Sequence, residues 1–274
     1  MRSATAKIAI TPPVGLAMSG FAARTEPSTG KLDELWARAA SFSDGRKRVV
    51  IVALDIIGVD DRLARRIKDE AAIKIGGGLE THVIVSATHT HAGPAVLPQS
   101  MLGAVDKSYV TLLVKKASDA CAMAAGAEVP TGRIDVGMSV SRSVGANRRT
   151  PDGPVDRRLY TLMALPKRDE ASIGDRGDFP VVLNYACHGV ALGPQNTKYS
   201  SDYIHFTRTA LERAIPGSCA VFTQSASGDI NTGHSAQASI AGQSLGRTYA
   251  DAERLGLALG DDAIEAVRST IFSE

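Results

Sequence analysis

The chain has 274 residues, of which 44% are apolar and 22% are charged, a composition typical of globular rather than disordered proteins. Its 31 Lys and Arg residues nearly balance its 29 Asp and Glu residues, and the resulting net charge of +2 argues against a general nucleic-acid binder. No apolar run approaches the ~18 residues that a membrane span needs, and the first residues contain no apolar signal-peptide core. We therefore expect a cytoplasmic chain with no nucleic-acid partner and no membrane span.

The three cysteines, Cys121, Cys187 and Cys219, are an odd number in a long chain. This favours reduced, buried thiols over a disulfide framework, in keeping with a reducing compartment. Charged residues are scattered along the sequence, so no partner surface stands out and the oligomeric state is left open.

The first half of the chain predicts a hairpin, a helix and a further strand. Residues 49–54 are a continuous apolar run, as in a strand covered on both faces, and residues 36–42 precede them across an Asp-Gly turn. A helix opened by Asp60 and Asp61 follows, and residues 82–87 are predicted to be a second buried strand. The apolar stripe of that helix consists of Leu63, Ile67 and Ala71.

The second half continues the alternation of strands and helices. Strands are predicted at residues 131–140, 157–165, 181–187 and 219–223, and residues 167–178 are predicted to be a solvated loop. The helix stripes are Val110, Leu113, Val114, Ala117, Cys121 and Ala124; then Tyr203, Phe206, Ala210 and Ala214 after a Ser201-Asp202 cap; then Ala252, Leu255, Leu259, Ala263 and Ala266. This order predicts one α/β domain over residues 1–274, with a mixed, largely parallel sheet and helices on both faces.

Two histidines follow the strand that ends at Ala87. His89 and His91 are two residues apart, so in extended chain both side chains point to the same side, beyond the carboxyl end of the strand. Sites of α/β proteins usually lie at such ends, and a neutral imidazole is a good zinc ligand. Alone, the pair is equally compatible with two hydrogen-bonded histidines and no metal.

A third histidine strengthens the metal hypothesis. His188 follows the predicted strand 181–187, and two strand ends can bring it within a few ångströms of His89. A single histidine at such a position is more often bonded to the backbone in the core. Three histidines at two strand ends favour a metal site.

Further polar groups follow other predicted strands. Asp229 and Asn231 lie after residues 219–223, beside Gly228, whose backbone allows close approach of a ligand. Asn147 and Arg148 lie in a polar loop, where an arginine can bind a substrate oxygen. The alternatives are a turn or cap role for Asp229 and a solvated loop charge for Arg148.

Taken together, these residues resemble the neutral/alkaline non-lysosomal ceramidase family, in its N-terminal catalytic domain. The resemblance runs through most of the chain, and the order of its motifs is more specific than any one of them. The motifs lie at residues 10–15, 49–58, 87–94, 147–148, 184–188, 201–202 and 228–230.

The resemblance implies a zinc hydrolase that cleaves an amide bond other than a peptide bond. His89 and His188 match zinc ligands, and His91 matches a residue beside the metal that contacts substrate or the activated water. Arg148 matches an active-site residue. We predict that Arg148 and Asn231 orient the substrate, a small molecule, and that Asn147 and Asp229 help to bind it.

The sequence departs from the family pattern in its remaining ligands and in its substrate signals. The family adds a glutamate and a tyrosine to its zinc site far downstream, beyond the position of Glu274. We therefore expect that the domain is truncated, that another side chain completes the site, or that the metal is weak or missing. The candidate side chains are His91, Asp202, Asp229 and His234. By the resemblance, Asn231 stands where the family has a serine, and we expect the family's C-terminal immunoglobulin-like domain to be missing, which favours a small amide or ester over ceramide.

Other functions compete with this hypothesis. The chain could be a catalytically inactive ligand-binding module of the same fold with an incomplete metal site. A metallo-β-lactamase site built on His89 and His91 is disfavoured because residues 92–94 contain no acid. An amidohydrolase site is disfavoured because its barrel needs eight strand–helix units and too few are predicted here. Cys187 is a weak candidate nucleophile, since a thiol inside an apolar strand is usually inert.

Overall fold

A computed structural model describes residues 1–98, 103–167, 178–237 and 247–273. The strands are β1 (Arg2–Ala9), β2 (Gly30–Lys31), β3 (Trp36–Ser43), β4 (Lys47–Leu54), β5 (Glu80–Ala87), β6 (Val129–Val140), β7 (Ala146–Asn147), β8 (Arg158–Pro166), β9 (Phe179–Tyr185), β10 (Lys198–Tyr199), β11 (Ser218–Gln224), β12 (Ile230–Asn231) and β13 (Thr270–Ser273). The helices with fully described bounds are α1 (Asp61–Ile75), α2 (Lys107–Gly126), α3 (Tyr203–Ala214) and α4 (Tyr249–Arg268).

The structure confirms a mixed α/β fold but not a largely parallel sheet. The main strands run in the order β11-β9-β8-β6-β1-β3-β4-β5, with β13 also paired to β6. Among the described strands of this order, only β4 with β5 and β9 with β11 pair parallel, and each of these two pairs is connected through a helix. The short strands β2 and β10 form a separate parallel pair. The other neighbours in this order pair antiparallel, and the turn between β3 and β4 is too short to contain a helix.

The strands form two halves that pack face to face. Among the described strands, the half with β1, β3, β4 and β5 continues into the half with β6, β8, β9 and β11 through the ladder pairs Arg2–Pro130 and Ser3–Val129. An inner apolar layer of Ala40, Ala53, Val182 and Val221 lies between the halves. Helices α1 and α2 cover the first half, and α3 and α4 cover the second. Helical layers therefore lie on both sides of the molecule, as predicted, but each half of the sheet has helices on one face only.

The predicted stripes of α1, α2 and α4 lie on buried helix faces, but the stripe predicted for α3 does not. Of that stripe only Tyr203 is fully buried and Ala214 is exposed, because α3 buries a partly polar face instead: Tyr203, Ile204, Thr207, Arg208 and Leu211. Leu63, Ile67 and Ala71 of α1 are buried, as are the five predicted positions of α4. Asp60 caps α1 by accepting a hydrogen bond from the Leu63 N–H, and Asp202 caps α3 through the Tyr203 N–H. Regular apolar spacing thus located α1, α2 and α4 because each buries one apolar stripe against a sheet.

The strand at residues 82–87 differs from its prediction. It belongs to β5, an edge strand whose residues alternate between exposed and partly buried, and Ile84 is 51% exposed. The first strand, β1, was not predicted, because small and charged residues interrupt its apolar pattern. The predicted loop 167–178 lies mostly outside the described residues.

Two expectations from composition can be compared with the structure. All three cysteines are free and buried, as predicted. In the described part of the chain, no helix is both long enough and apolar enough to cross a bilayer.

Candidate metal centre

Three histidines from two strand ends form one cluster. His89 and His91 follow β5, His188 follows β9, and their ligand atoms all lie within 4.8 Å of one another. The Nε2 atoms of His89 and His91 are 3.4 Å apart, close to the roughly 3.3 Å between two nitrogens of a tetrahedral zinc site. We call His89, His91 and His188 the histidine triad. Its donor set fits a divalent metal such as zinc.

A single backbone bridge brings the two strand ends together. Thr90 pairs with Gly189, and the His91 N–H donates to the Gly189 carbonyl at 3.0 Å. A Cβ atom at position 189 would lie 3.1 Å from both the His89 carbonyl oxygen and the Thr90 Cα. Glycine therefore allows the close approach that places His188 beside the other two rings.

Backbone carbonyls orient two of the three rings. His89 Nδ1 lies 2.6 Å from the Ile57 carbonyl oxygen, and His188 Nδ1 lies 2.9 Å from the Ile230 carbonyl oxygen. Because a carbonyl only accepts hydrogen bonds, we assign the proton to Nδ1 in both rings, which leaves the Nε2 lone pairs for a metal. Metal-binding histidines commonly have an outer hydrogen bond of this kind.

The side chain of His89 reaches His91 and His188 for a reason that differs from the predicted one. The expectation assumed extended chain, but His89 has a φ of 63°, in the left-handed region. This conformation is uncommon for residues other than glycine and costs about 1–3 kcal/mol, so the surrounding structure must hold it. The His89 N–H donates to the Ile56 carbonyl at 3.1 Å and contributes to that support.

The structure groups His91 with the two predicted ligands rather than apart from them. Its ring packs edge-on against Phe21, with the ring centres 5.1 Å apart. The Gly20 carbonyl faces the ring, but among the described residues His91 Nδ1 has no hydrogen bond of normal geometry. His91 can therefore act as a third ligand or as a group beside the metal.

Burial keeps the histidine triad neutral. It lowers the pKa of His188 to about 4 and lowers the pKa of His89 and, more strongly, of His91. Positive neighbours lower these pKa values further, and Arg148 contributes at both His89 and His188. Neutral imidazoles at pH 7 are the form that binds a metal.

Arg148 lies at the edge of the histidine triad, held by a short ribbon of β7 and β12. Its N–H donates to the Asp229 carbonyl at 2.8 Å, and its Nε donates to the Gly228 carbonyl at 3.0 Å. The ribbon also places the Ile230 carbonyl against His188. The structure thus brings together three of the predicted residue groups: the histidines, Arg148 and the 228–231 segment.

The side chain of Asn231 is fully buried and engaged in its own turn. Its Oδ1 accepts hydrogen bonds from the Gly233 N–H at 2.9 Å and from the His234 N–H at 3.3 Å, and its Nδ2 donates to the His234 carbonyl at 2.8 Å. This arrangement positions the turn that carries His234. The predicted contact of Asn231 with substrate stays a prediction.

Asn147 and Asp229 also form bonds within the loop. Asn147 Oδ1 accepts hydrogen bonds from the N–H groups of Arg149 and Thr150, both at 3.0 Å. Asp229 forms an ion pair with Arg149, and its side chain is 54% exposed. These bonds stabilise the loop that holds Arg148, while the predicted substrate contacts of both residues remain to be tested.

The other candidate ligands lie outside the histidine triad. Asp202 is buried, and its carboxylate accepts hydrogen bonds from the Ala191, Leu192 and Tyr203 N–H groups. His234 lies near enough to His188 for the two rings to influence each other's charge, but it is not one of the clustered donors.

The fully buried Cys187 thiol has a pKa raised to about 12 by burial. It is therefore present as the unreactive thiol at neutral pH.

Sequence reasoning missed two arginines beside the histidine triad. Arg24 donates to the His91 carbonyl at 2.8 Å, and Arg247 donates to the Leu192 carbonyl at 2.9 Å. Both guanidinium groups lie over the ring of Phe21. No spacing or motif links positions 24 and 247, so only the folded structure reveals that they are neighbours.

Residues 5–243 match the family described as neutral/alkaline non-lysosomal ceramidase, N-terminal. The chain belongs to this family. It is 25% identical over 248 residues to the neutral ceramidase of Mycobacterium tuberculosis, an alignment that covers 78% of this chain and 37% of that protein. The expected family membership is thereby confirmed.

Solved structures show the same fold. The neutral ceramidase of Pseudomonas aeruginosa matches with a TM-score of 0.81 and 20% identity, over 99% of this chain and 45% of that one. A structure described as ceramidase complexed with C2 matches with a TM-score of 0.80 and 18% identity, over 99% of this chain and 44% of that one. This ceramidase-family chain therefore has a hydrolase-family fold and spans less than half the length of these relatives.

Proposed function

We propose that this chain is the catalytic domain of a zinc-dependent hydrolase that cleaves an amide or related carbonyl bond. The observation that carries the proposal is the histidine triad, with ligand atoms within 4.8 Å of one another at two strand ends of a ceramidase-family fold. His89 and His188 would hold the ion through Nε2, because their Nδ1 atoms are committed to carbonyls.

The remaining residues have roles suited to a carbonyl substrate. When bound, zinc lowers the pKa of a water ligand toward ~7 and polarises a carbonyl. His91, buried and neutral, lies within 3.4 Å of His89 Nε2 and can accept or pass a proton beside the reacting group. Of the three guanidinium nitrogens of Arg148, only Nε is bonded to another described residue, so its two Nη atoms can donate to a substrate oxygen.

Metal analysis of site-directed variants tests the ligand assignment. His89→Ala and His188→Ala each remove one donor, so zinc affinity should fall by more than the 10–100-fold that losing an outer hydrogen-bond partner costs. His82→Ala is the matched control, because His82 lies on β5 with its side chain 59% exposed and pairs with Glu80. Zinc content is measured by mass spectrometry after dialysis. Equal zinc content in all four proteins would exclude the site.

Hydrolysis assays then separate the enzyme from an inactive module. The zinc-loaded chain is incubated with a short-chain ceramide and with small N-acyl amides, and release of free amine is measured. Our proposal favours the small amides, because Asn231 stands where the family has a serine. Binding of zinc by His89 and His188 with no turnover of any amide would support the alternative, a ligand-binding module of the same fold.

A further inference from the structure

Beside the histidine triad lies a second cluster, two arginines that share one aromatic ring. The Cζ atom of Arg24 is 4.9 Å from the centre of the Phe21 ring, and that of Arg247 is 5.3 Å from it. The same ring lies 5.1 Å from His91. We call Arg24 and Arg247 the guanidinium pair. The Phe21 ring therefore contacts both the guanidinium pair and His91 of the candidate metal centre.

The guanidinium pair is bonded to backbone carbonyls rather than to carboxylates. Arg24 donates to the Ser19 and His91 carbonyls at 2.9 and 2.8 Å. Arg247 donates to the carbonyls of Val190 and Leu192, in the loop that follows His188. Within the described ranges, neither arginine forms a salt bridge. A mostly buried charge without an opposite partner is costly, so a structure that keeps two of them together calls for an explanation.

Several donors of the guanidinium pair are unused. Arg24 Nε and both Nε and Nη1 of Arg247 are buried, and the described part of the structure offers them no hydrogen-bond acceptor. Burial lowers the pKa of each arginine to about 10, and for Arg24 the charge of Arg247 adds to this effect. Both stay charged at pH 7. Asp202 is near enough to act on Arg247, but its carboxylate is bonded to backbone N–H groups.

The arginines around the histidine triad add positive charge to the same region. Arg24 lowers the pKa of His91, Arg247 lowers that of His234, and Arg148 lowers those of His89, His188 and His234. Among the described residues, the titratable side chains that shift the pKa of these four histidines are arginines and other histidines. None of them is a carboxylate. The site therefore presents a concentrated positive field with unused donors, and its chemical complement is an anion.

We propose that the guanidinium pair binds an anionic oxygen group of the substrate, a carboxylate or a phosphate. Charge-assisted hydrogen bonds from arginine to such groups are strong and directional. The anion would fix one end of the substrate beside Phe21 and place the bond to be cleaved near the histidine triad, as a positioning contact. The role of this site in binding substrate rests on the proposed hydrolase function. Binding of an anion by the guanidinium pair does not depend on that function.

Anion binding is tested on the full chain after zinc has been removed with a chelator. Acetate and inorganic phosphate are titrated separately at constant ionic strength, and binding is followed by calorimetry. We expect saturable binding of at least one anion, which identifies the preferred group, and an affinity at least tenfold lower in Arg24→Gln and Arg247→Gln. Arg254→Gln is the control, because Arg254 lies on α4, which begins just after Arg247, and its side chain is 68% exposed.

Folding of each variant is checked by circular dichroism. Arg247→Lys, which keeps the charge, provides a second variant if Arg247→Gln does not fold; it should retain weaker anion binding. No saturable binding to the wild type, or equal affinity in the wild type and the folded variants, overturns the proposal.

A paired substrate assay places the anion site in the reaction. The zinc-loaded chain is given an N-acyl glycine and the corresponding N-acyl glycinamide, which differ in the carboxylate. We expect kcat/KM to favour the carboxylate at least tenfold, and this ratio to fall toward one in Arg247→Gln but not in Arg254→Gln. A ratio near one in the wild type contradicts the substrate role. If neither compound is hydrolysed while Arg247-dependent anion binding persists, the hydrolase proposal fails and the anion site stands.

Discussion

At the scale of single residues, Gly189 controls how closely the two histidine-bearing loops approach. In Gly189→Ala the new Cβ would meet the His89 carbonyl oxygen and Thr90 Cα, both at 3.1 Å, and the loops must move apart by a few tenths of an ångström. We expect zinc affinity to fall about tenfold, since metal sites require ligands held to within ~0.5 Å. Stability should fall by only about 1 kcal/mol.

Gly228→Ala is the matched control for this loop contact. Gly228 also lies in a loop at the site, but a Cβ there has no atom within 4 Å. Zinc affinity is measured by competition with a chelator, and stability by urea unfolding. If both variants bind zinc like the wild type, the Thr90–Gly189 bridge does not set the ligand geometry.

His234 gives the metal-free protein a pH-dependent stability. Burial, then Arg247 and Arg148, lower its folded pKa to about 4, whereas the unfolded value is near 6.5. Between these values the unfolded chain binds more protons, so this contribution is complete above pH 6.5 and is lost as the pH falls toward 4. His234→Gln should reduce the loss between pH 7.5 and pH 5 by about 1 kcal/mol, a value discounted because part of the ring is exposed.

The measurement for His234 is urea unfolding at both pH values in the presence of a chelator. His82→Gln makes the same substitution at an exposed position of β5 and is the control for the change of residue type. An identical pH dependence in His234→Gln and wild type would show that the ring is protonated as easily in the folded state as in the unfolded state.

The same scale shows which parts of the site could be predicted. The histidine triad was predictable because each histidine directly follows an apolar strand, and strand ends meet at one edge. The guanidinium pair was not, because its members are over 200 positions apart and are joined only through Phe21. Asn231 illustrates a different limit: its residue type suggested substrate binding, but hydrogen bonds to its own turn use both ends of its amide group.

At the scale of secondary-structure elements, Asp202 joins α3 to the loop after His188. Besides capping α3 through the Tyr203 N–H, it accepts hydrogen bonds from the Ala191 and Leu192 N–H groups at 2.9 Å. Asp202→Ala leaves all three donors buried, so it should destabilise the protein by about 2–4 kcal/mol, more than an ordinary N-cap loss of about 1 kcal/mol.

Asp60→Ala supplies the ordinary cap for comparison, since Asp60 accepts from the Leu63 N–H at the start of α1. Both variants are unfolded in urea at pH 8, where Asp202 is ionised, because burial raises its pKa only to about 6. Equal losses of stability would mean that the contacts to the 191–192 loop contribute little.

The sequence predicted the positions of the helices better than the directions of the strands. The positions and buried faces of α1, α2 and α4 followed from apolar stripes, because each of these helices buries one apolar face. The buried face of α3 did not, because it includes the polar residues Thr207 and Arg208. Strand direction did not follow from the sequence. Alternation of strands and helices predicted parallel pairing, which is correct for β4–β5 and β9–β11 and wrong for β3–β4, β6–β8 and β8–β9. Local sequence indicates whether a segment is a helix or a strand. The direction in which two strands pair depends also on whether the connection between them contains a helix or turns back directly.

At the scale of the whole molecule, the metal centre depends on how two halves of a sheet pack. His89 and His91 follow a strand of one half and His188 follows a strand of the other. A strand with apolar residues on both faces could pack against helices or against another sheet, so the sequence alone did not distinguish these arrangements. The inner layer of Ala40, Ala53, Val182 and Val221 shows that small residues set the spacing between the halves.

Enlarging this inner layer should therefore weaken the metal site from a distance. Ala53 is 1% exposed and lies between the halves, so in Ala53→Leu the added volume must separate β4 from β9 and β11. Ala120→Leu is the control, because Ala120 is equally buried but lies on α2, outside the inner layer. Overpacking costs typically 1–3 kcal/mol, and we expect both variants to lose stability in that range. Only Ala53→Leu should lower zinc affinity, by about tenfold, because only it shifts His89 and His91 relative to His188. Chelator competition on the folded variants measures this difference, and equal zinc affinities would show that the Thr90–Gly189 bridge alone fixes the histidine triad, independently of the packing beneath it.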